Sequence, residues 1–378
     1  MTYGFEELRF RMGDGMGLPF LVASVFNRRG MVEVNPEPSR IENSSGRMQR
    51  GAHREEDLIP ADWHLYWKSG RFKPSEYTTV ESHQKMNHFP RSGCITRKDT
   101  LGRLMRRMMI TYGEQVYGFV PETYILPNEY VKFVGAYSEQ DENSRGVWIC
   151  KPADSCRGKN IFLLRNLEEL RYDSQFIIQR YIERPLLIGG FKCDFRVYVL
   201  VVSVHPLKVY IYCDGLVRFG TSRYDLATLS DKFSHLTNSS INKLSPTLAT
   251  DKYEIGPGCK WEFKQLEAHF RCNKVDDKFM WSKIINLVNA TLIPTVPCNS
   301  GRQNYFELFG FDVVVDETMR PWLIEVGNEY TTASSKRFDK LLRTLVSHLG
   351  RIDRRIQKRI RDLKTDDRDN LTPYDFIA

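Results

Sequence analysis

An α+β fold is what this sequence predicts, and three observations carry the prediction. From Val147 onward, short strand-like segments alternate with turns and a few helices, without the regular strand–helix–strand series of a parallel α/β protein. The strands show period-two alternation, as in Lys192-Cys-Asp194-Phe-Arg196, where charged and apolar side chains fall on opposite faces. The helices show apolar stripes at helical spacing, as in 96–109, and no internal repeat of the kind that builds solenoids or propellers is visible.

Residues 1–60 are rich in Gly, Pro, Asn, Ser, Arg and Glu, as in Met12-Gly-Asp-Gly-Met-Gly17, and read as a mostly flexible segment. The glycine cluster lacks a preceding strand, so it reads as pliable chain and not as a phosphate loop. Order is expected from Asp62-Trp-His-Leu-Tyr-Trp67, whose clustered aromatics imply a buried patch within a small N-terminal domain completed by 61–92. The helix over 96–109 has a capping-type Thr96, an apolar stripe of Leu101, Leu104, Met105 and Met108, and a stop near Gly113.

At 378 residues the chain is long enough for two or three structural units sharing a sizeable core. No apolar leader follows the first residues, and the longest apolar run, 197–204, is too short to span a bilayer, so a soluble protein without a membrane partner is expected. Eight cysteines without a Cys-x-x-Cys pair argue against a zinc ribbon or thioredoxin-type site and fit reduced thiols inside a cell. The net charge of +8 is unevenly placed: 336–364 holds eleven Lys or Arg against three Asp, a surplus equal to the whole. In that stretch Leu342, Leu345, Val346, Leu349, Ile352, Ile356, Ile360 and Leu363 recur at helical spacing, predicting a basic amphipathic helix. Such a helix either packs on the core with a solvated outer face or faces a polyanion. Nucleic acid is disfavoured, because no aromatic-interleaved basic strand or zinc module accompanies the charge.

The most telling spacing lies in Glu307-Leu-Phe-Gly-Phe-Asp312 and Trp-Leu-Ile-Glu325-Val, two strands around a turn at 316–321. Folded about a centre between Thr318 and Met319, the hairpin sets Asp312 opposite Glu325 with both carboxylates on one face. Facing carboxylates repel unless a cation or shared proton compensates them, and Mg²⁺ takes oxygen ligands of this kind. The plain alternative is a hairpin with two solvated acids. Trp148-Ile-Cys-Lys151-Pro-Ala-Asp-Ser-Cys-Arg157-Gly158-Lys159-Asn160 puts a lysine at the end of a strand before a short polar loop. A phosphate clamp needs that arrangement, with Lys151 neutralising one oxygen and Gly158 letting backbone N–H groups approach another; an ordinary basic surface hairpin has it too.

Beyond the strand at 176–182, Lys192, Asp194 and Arg196 project from one face and imply a polar cleft. The lysine and arginine there suit a carboxylate or phosphate, and Asp194 a ligand hydroxyl or the lysine itself. Tyr212-Cys-Asp-Gly-Leu-Val-Arg218-Phe reads as a further hairpin ending in a lone arginine. His235-Leu-Thr237-Asn238-Ser-Ser-Ile-Asn-Lys243 concentrates hydroxyl, amide and ammonium groups, either to grip a ligand or to satisfy a turn.

Taken in order, Thr-Arg-Lys98-Asp, Trp-Ile-Cys-Lys151-Pro-Ala, Arg157-Gly158, Gln179-Arg180-Tyr181-Ile182, Lys192-Cys-Asp194-Phe-Arg196, Asp-Gly-Leu-Val-Arg218-Phe, the 235–243 segment, Glu-Leu-Phe-Gly-Phe-Asp312 and Trp-Leu-Ile-Glu325-Val resemble the tubulin–tyrosine ligase-like family. The resemblance covers about 60–350, and the Ser-Ser-Ile-Asn-Lys wording is more similar to its polyglutamylase branch. It implies an ATP-grasp ligase fold, with nucleotide and Mg²⁺ held between two α+β lobes (93–188 and 189–350), a smaller N-terminal domain, and a basic helix and tail at 351–378.

It also implies roles. Lys98, Lys151, Arg157 and Gly158 would hold ATP phosphates, Gln179, Arg180, Tyr181 and Ile182 would lie against adenine, and Lys192, Asp194, Thr237 and Asn238 would complete the nucleotide pocket. Asp312 and Glu325 would hold Mg²⁺, and Arg196, Arg218 and Lys243 would serve the acyl phosphate and the incoming amino acid. The implied reaction joins free glutamate to glutamate side chains in the acidic tails of tubulin, by a monomer in the cytoplasm, on the cytoskeleton or in a cilium. Glycine as donor, or a weakened relative that binds microtubules without efficient ligation, stays open. Where the family pattern reads Glu-Val-Asn, this chain reads Glu325-Val326-Gly327-Asn328, so either the strand bulges to bring Asn328 to the cation or the cation is held more weakly. Asn160 stands where a second glycine is usual, a milder change because Asn tolerates a left-handed backbone.

Overall fold

In a computed structural model of the chain, the described residues are 8–13, 19–34, 63–139, 145–153, 158, 160–171, 175–250, 252, 255–299, 304–328 and 376–377. They fall into two compact units, one of 8–90 with 304–307, the other of 91–299 with 308–328 and 376–377. The basic stretch 336–364 and Arg157 lie outside the described residues.

The first unit contains β1 (Arg9–Met12), α1 (Pro19–Arg28), β2 (Val32–Glu33), β3 (Leu65–Trp67), α2 (Pro74–Thr78) and β4 (Lys85–Met86). Its four strands form a parallel sheet in the order β2-β1-β3-β4. Part of the stretch expected to be flexible is therefore ordered, and a strand does precede the glycine cluster. Phe10 on β1 and Val22, Val25 and Phe26 on α1 are fully buried, and that apolar contact outweighs the glycine-rich composition around it. The aromatic patch is present as expected: Trp63, Tyr66 and Trp67 are buried, and Trp67 meets Phe26 edge-on at 6.1 Å. Glu307, also fully buried here, is held through both oxygens, by His88 Nδ1 at 2.9 Å and by the backbone N–H of Phe89 at 3.0 Å.

The second unit begins with α3 (Gly93–Thr96), α4 (Lys98–Tyr112) and α5 (Glu114–Tyr117). The predicted helix is α4. Its start differs from expectation, because Thr96 closes α3, where its hydroxyl bonds the Ser92 carbonyl, and Arg97 takes the N-cap position. Leu101, Leu104 and Met105 are buried, and the helix stops at Gly113. Next come β5 (Thr123–Leu126), α6 (Tyr130–Ser138), β6 (Trp148–Pro152), β7 (Phe162–Leu164) and β8 (Phe176–Arg180). The four strands make an antiparallel sheet, β5-β8-β6-β7, packed on Phe133 and Tyr137 of α6.

After β9 (Leu187–Ile188), β10 (Phe191–Val204) and β11 (Leu207–Phe219) form a long hairpin. Besides two short 3-10 turns, at Leu167–Glu169 and Ile293–Cys298, the remaining elements among the described residues are α7 (Lys232–His235), α8 (Ser239–Asn242), β12 (Lys260–Glu262), α9 (Phe263–Cys272), α10 (Lys278–Leu292), β13 (Glu307–Val315), β14 (Pro321–Asn328) and β15 (Phe376–Ile377). The second sheet runs β12-β11-β10-β13-β14, with β9 on β10 and β15 on β11. The mixed, largely antiparallel content is that of an α+β protein.

The segment 212–219 is no hairpin. It continues β11 through an irregularity facing Tyr198, while the reversal falls at His205-Pro206. Asp214-Gly215 looks like a turn in sequence because Asp214 bonds the N–H groups of Gly215 and Phe263, and Gly215 lets the Phe263 ring approach the strand. A Cβ at 215 would stand 2.4 Å from that ring and 2.6 Å from the Arg196 carbonyl oxygen. Gly215→Ala should therefore lower stability by about 1–3 kcal/mol, read from the denaturant midpoint, as overpacking of a closed site does.

Candidate active site

Side chains from both sheets of the second unit line one cleft. Of the residues singled out in sequence, Lys151, Gln179, Arg180, Tyr181, Ile182, Lys192, Asp194, Arg218, Thr237, Asn238, Asp312 and Glu325 line it. Lys98 and Arg196 join through their ion pairs with Glu325 and Asp312. Gly158 packs on the same wall with φ +76°, where a Cβ would meet Ile241 at 2.4 Å and the Asn238 amide oxygen at 3.0 Å. Asn160 does adopt the left-handed backbone expected of it, at φ 55°. Lys243 does not join the cleft: it lies exposed at the C-cap of α8.

Strand alternation explains most of this assembly. Lys192, Asp194 and Arg196 leave one face of β10, and Asp194 pairs in register with Arg218 on β11. Arg218 bonds both Asp194 oxygens, through Nε at 2.7 Å and a terminal nitrogen at 2.5 Å, and reaches Asp312 at 2.9 Å. Arg196 ion-pairs with Asp312 at 2.6 Å, and Lys98 with Glu325 at 3.0 Å. Arg218 is thus far from lone.

Asp312 does lie opposite Glu325, by a route the sequence did not disclose. Near the turn Val313 faces Leu323, so Ile324 is an extra residue, and this bulge brings Glu325 into line. The facing carboxylates are compensated by Arg196, Arg218 and Lys98 of the chain itself. Beyond Glu325 the ladder runs regularly through Val326, Gly327 and Asn328. Gly327 therefore shares the carboxylates' face, and Asn328 falls on the other one. Its amide oxygen is buried there without a hydrogen-bond partner among the described residues. The strand has no bulge at 327–328.

The cleft is electrostatically unusual at its lysines. Lys151 donates to the Gln179 amide oxygen at 2.8 Å, and Gln179 in turn donates to Thr123 at 3.0 Å. Lys192 donates to the His235 carbonyl oxygen at 3.0 Å. Both ammonium groups are buried on neutral oxygens. Burial pushes Lys151 down to about 8 despite the nearby Glu325 carboxylate, and lowers Lys192 against the pull of Asp194. Burial alone would raise Asp194, but Arg218, Lys192 and a hydrogen bond from Thr237 outweigh it and hold the carboxyl below its ordinary range. Asp312 is raised, because burial, together with the Asp194 and Glu325 charges, exceeds the help from Arg196 and Arg218.

Several residues in or beside the cleft have no individual role legible in the sequence. Thr123 reaches Gln179 because β5 and β8 pair at those positions, which no local pattern signals. His235 is fully buried, with Nε2 at 3.1 Å from the Thr228 carbonyl oxygen and Nδ1 at 3.0 Å from the Tyr181 hydroxyl. Nε2 must carry the proton to face a carbonyl, so the tyrosine donates to Nδ1. Ile149, Ile161, Val314 and Ile324 supply apolar walls.

The sequence belongs to a known class of protein. The chain is a member of the tubulin-tyrosine ligase family, whose pattern it matches over residues 77–349. Among its relatives is the probable tubulin polyglutamylase TTLL2 of Mus musculus, 41% identical over 345 residues, or 90% of this chain and 60% of that protein. The Homo sapiens protein of the same name is 39% identical over 284 residues, 74% of this chain and 48% of that one. The tubulin polyglutamylase TTLL5 of Mus musculus is 36% identical over 313 residues, 79% of this chain and 23% of that protein. The chain spans 48% and 60% of the two TTLL2 proteins.

The depressed Lys151 makes a stability prediction. With a folded value near 8 against 10.5 unfolded, the charged lysine destabilises the fold fully below pH 8, and the penalty is relieved as pH rises towards 10.5. Lys151→Met should remove that rising component, worth about 3 kcal/mol between the two limits. Denaturant midpoints of both proteins across this pH window would show it; parallel profiles would contradict it.

Proposed function

We propose that the chain is an ATP- and Mg²⁺-dependent ligase of ATP-grasp type that adds glutamate through isopeptide bonds to glutamate side chains in tubulin tails. The observation that carries this is the pair of buried ammonium groups, Lys151 and Lys192, held by neutral oxygens beside Asp312 and Glu325. Buried cations kept without a carboxylate hydrogen-bond partner are costly unless an anion completes them, and a triphosphate supplies that charge. Residues 93–188 and 189–350 would be the two lobes that hold it.

Mg²⁺ fits the donors present. Asp312 and Glu325 offer hard oxygens, and among the described residues no third His, Cys, Asp or Glu joins them. Two carboxylates with ligand phosphates and water are the usual shell of this ion, whose charge would offset that of the phosphates. Holding it requires Asp312 and Glu325 to exchange their present partners, which frees Arg196 and Lys98 for anionic substrates.

The residues then divide the work. Lys98, Lys151 and Lys192 neutralise phosphate oxygens in a site where burial strengthens each charge, and Gln179 fixes the Lys151 ammonium. Tyr181 and Ile182, with Ile149 and Ile161, offer an apolar slot to the base. An acceptor carboxylate oxygen attacks the γ-phosphorus of ATP, and ADP leaves. The α-amine of free glutamate attacks the resulting acyl phosphate; phosphate departs, and the amine loses a proton. Arg196 and Arg218 offset the charge of the carboxylate and acyl phosphate. No side-chain nucleophile is needed, so rate comes from positioning and charge.

The relatives' printed names and the basic surplus at 336–364 support acidic tubulin tails as the partner and the microtubule cytoskeleton as the place of action. Among the described residues no helix is long and apolar enough to cross a membrane.

A weakened relative is the second reading, and Gly327 favours it. Gly327 shares the face of Glu325, and among the described residues no atom beyond its chain neighbours lies within 4 Å of where its Cβ would be. An asparagine there has room to offer a third oxygen. Transfer of labelled glutamate to tubulin should fall at least a hundredfold in Asp312→Asn and Glu325→Gln, roughly the effect of removing one charge-stabilising group from such a site. Undiminished transfer would remove the carboxylates from the mechanism. Gly327→Asn separates the two readings: a change within about threefold supports an active enzyme, and a gain of tenfold or more supports the weakened one.

A further inference from the structure

Asn242 is fully buried, and no step described above uses it. Its amide nitrogen donates to the carbonyl oxygens of Leu236 at 2.7 Å and Asn238 at 3.2 Å, and its amide oxygen accepts from the Thr221 hydroxyl at 2.8 Å. Two carbonyl oxygens on one side fix the orientation of the amide, since only the NH₂ end can face them. Both N–H groups are thereby spent. A side chain used this completely inside a protein specifies a single arrangement of what it touches.

What it touches is the cleft wall on one side and the arginine strand on the other. Leu236, Thr237 and Asn238 line the cleft, Thr237 bonds Asp194, and Asn238 packs on Gly158. Thr221 follows Arg218 by three residues, two beyond the end of β11, where its N–H bonds the Phe233 carbonyl at 2.9 Å and its carbonyl accepts from the Thr247 hydroxyl at 2.9 Å. One amide therefore ties the strand that carries Arg218 to the wall that carries Thr237 and Asn238.

We propose that Asn242 is a positioning residue that sets the spacing between the Arg218–Asp194 pair and the Thr237–Asn238 wall, and so the affinity of the cleft for nucleotide. The inference rests on the nucleotide-binding reading above. It distinguishes Asn242 from a residue that merely holds a turn together, whose loss lowers stability without changing what the folded protein binds.

The test is calorimetric titration of the whole chain with the magnesium complex of a non-hydrolysable ATP analogue. The unsubstituted protein, Asn242→Ala, Thr221→Val and the double variant are compared well below their unfolding midpoints. Loss of the clamp should weaken binding about tenfold in Asn242→Ala and about threefold in Thr221→Val, the range one or two hydrogen bonds span. The double variant should be no weaker than Asn242→Ala, because both act through one clamp. KM for ATP should rise by the same factors, with kcat changed less. Affinities within about twofold of the unsubstituted protein, alongside a lowered midpoint, would reduce Asn242 to a fold-holding residue. If Asn242→Ala fails to fold, Thr221→Val decides, since it keeps both amide donations, and unchanged affinity there overturns the inference. If the unsubstituted protein does not bind the analogue, this inference and the nucleotide reading fall together.

Discussion

Charges buried in a protein interior must be matched, and the second unit is organised around one such match. Arg218 holds Asp194 in a forked pair and reaches Asp312, which Arg196 engages from the same strand face as Asp194. Removing one partner from a buried pair costs about 3–5 kcal/mol, because the survivor is left desolvated and alone. The network therefore fixes the mutual register of β10, β11 and β13. Those strands can shift only by breaking it. Glu325, paired with Lys98, extends the same balance to β14 and α4.

The lysines show the opposite condition. Lys151 and Lys192 are desolvated as thoroughly as Arg218, yet their hydrogen bonds go to an amide and a backbone carbonyl. The fold tolerates this because the carboxylates of Glu325 and Asp194 act on them from a short way off. Aspartates that face arginines, beside ammonium groups that hydrogen-bond neutral oxygens, would suit an incoming anion. That asymmetry, more than the presence of basic residues, distinguishes the cleft from an ordinary charged surface.

Much of this was legible in the sequence, for a definite reason. Period-two alternation placed Lys192, Asp194 and Arg196 on one face because a strand allows no other arrangement. The pairing of Asp312 with Glu325 was also anticipated, although a bulge at Ile324 produces it and the simple hairpin centre does not. Local pattern failed where tertiary contact decides. Thr123 meets Gln179 through strand pairing across 56 positions, and His235 matters for the Lys192 and Tyr181 it meets, not for its neighbours in sequence. Asp214-Gly215 mimicked a turn because an aspartate that bonds nearby N–H groups beside a glycine is turn chemistry in most settings, and here the same chemistry serves an irregular strand. The first unit's order was hidden because a few buried aromatics and valines outweigh a glycine-rich composition.

The relatives place the chain in its family without choosing its substrate. The most direct measurement is intact-mass analysis of tubulin tails after incubation of the purified chain with tubulin, Mg-ATP and either glutamate or glycine. Successive increments of one glutamyl residue that require both ATP and glutamate are expected. Tails of unchanged mass, or increments that appear with glycine and not with glutamate, would contradict glutamate ligation by this chain.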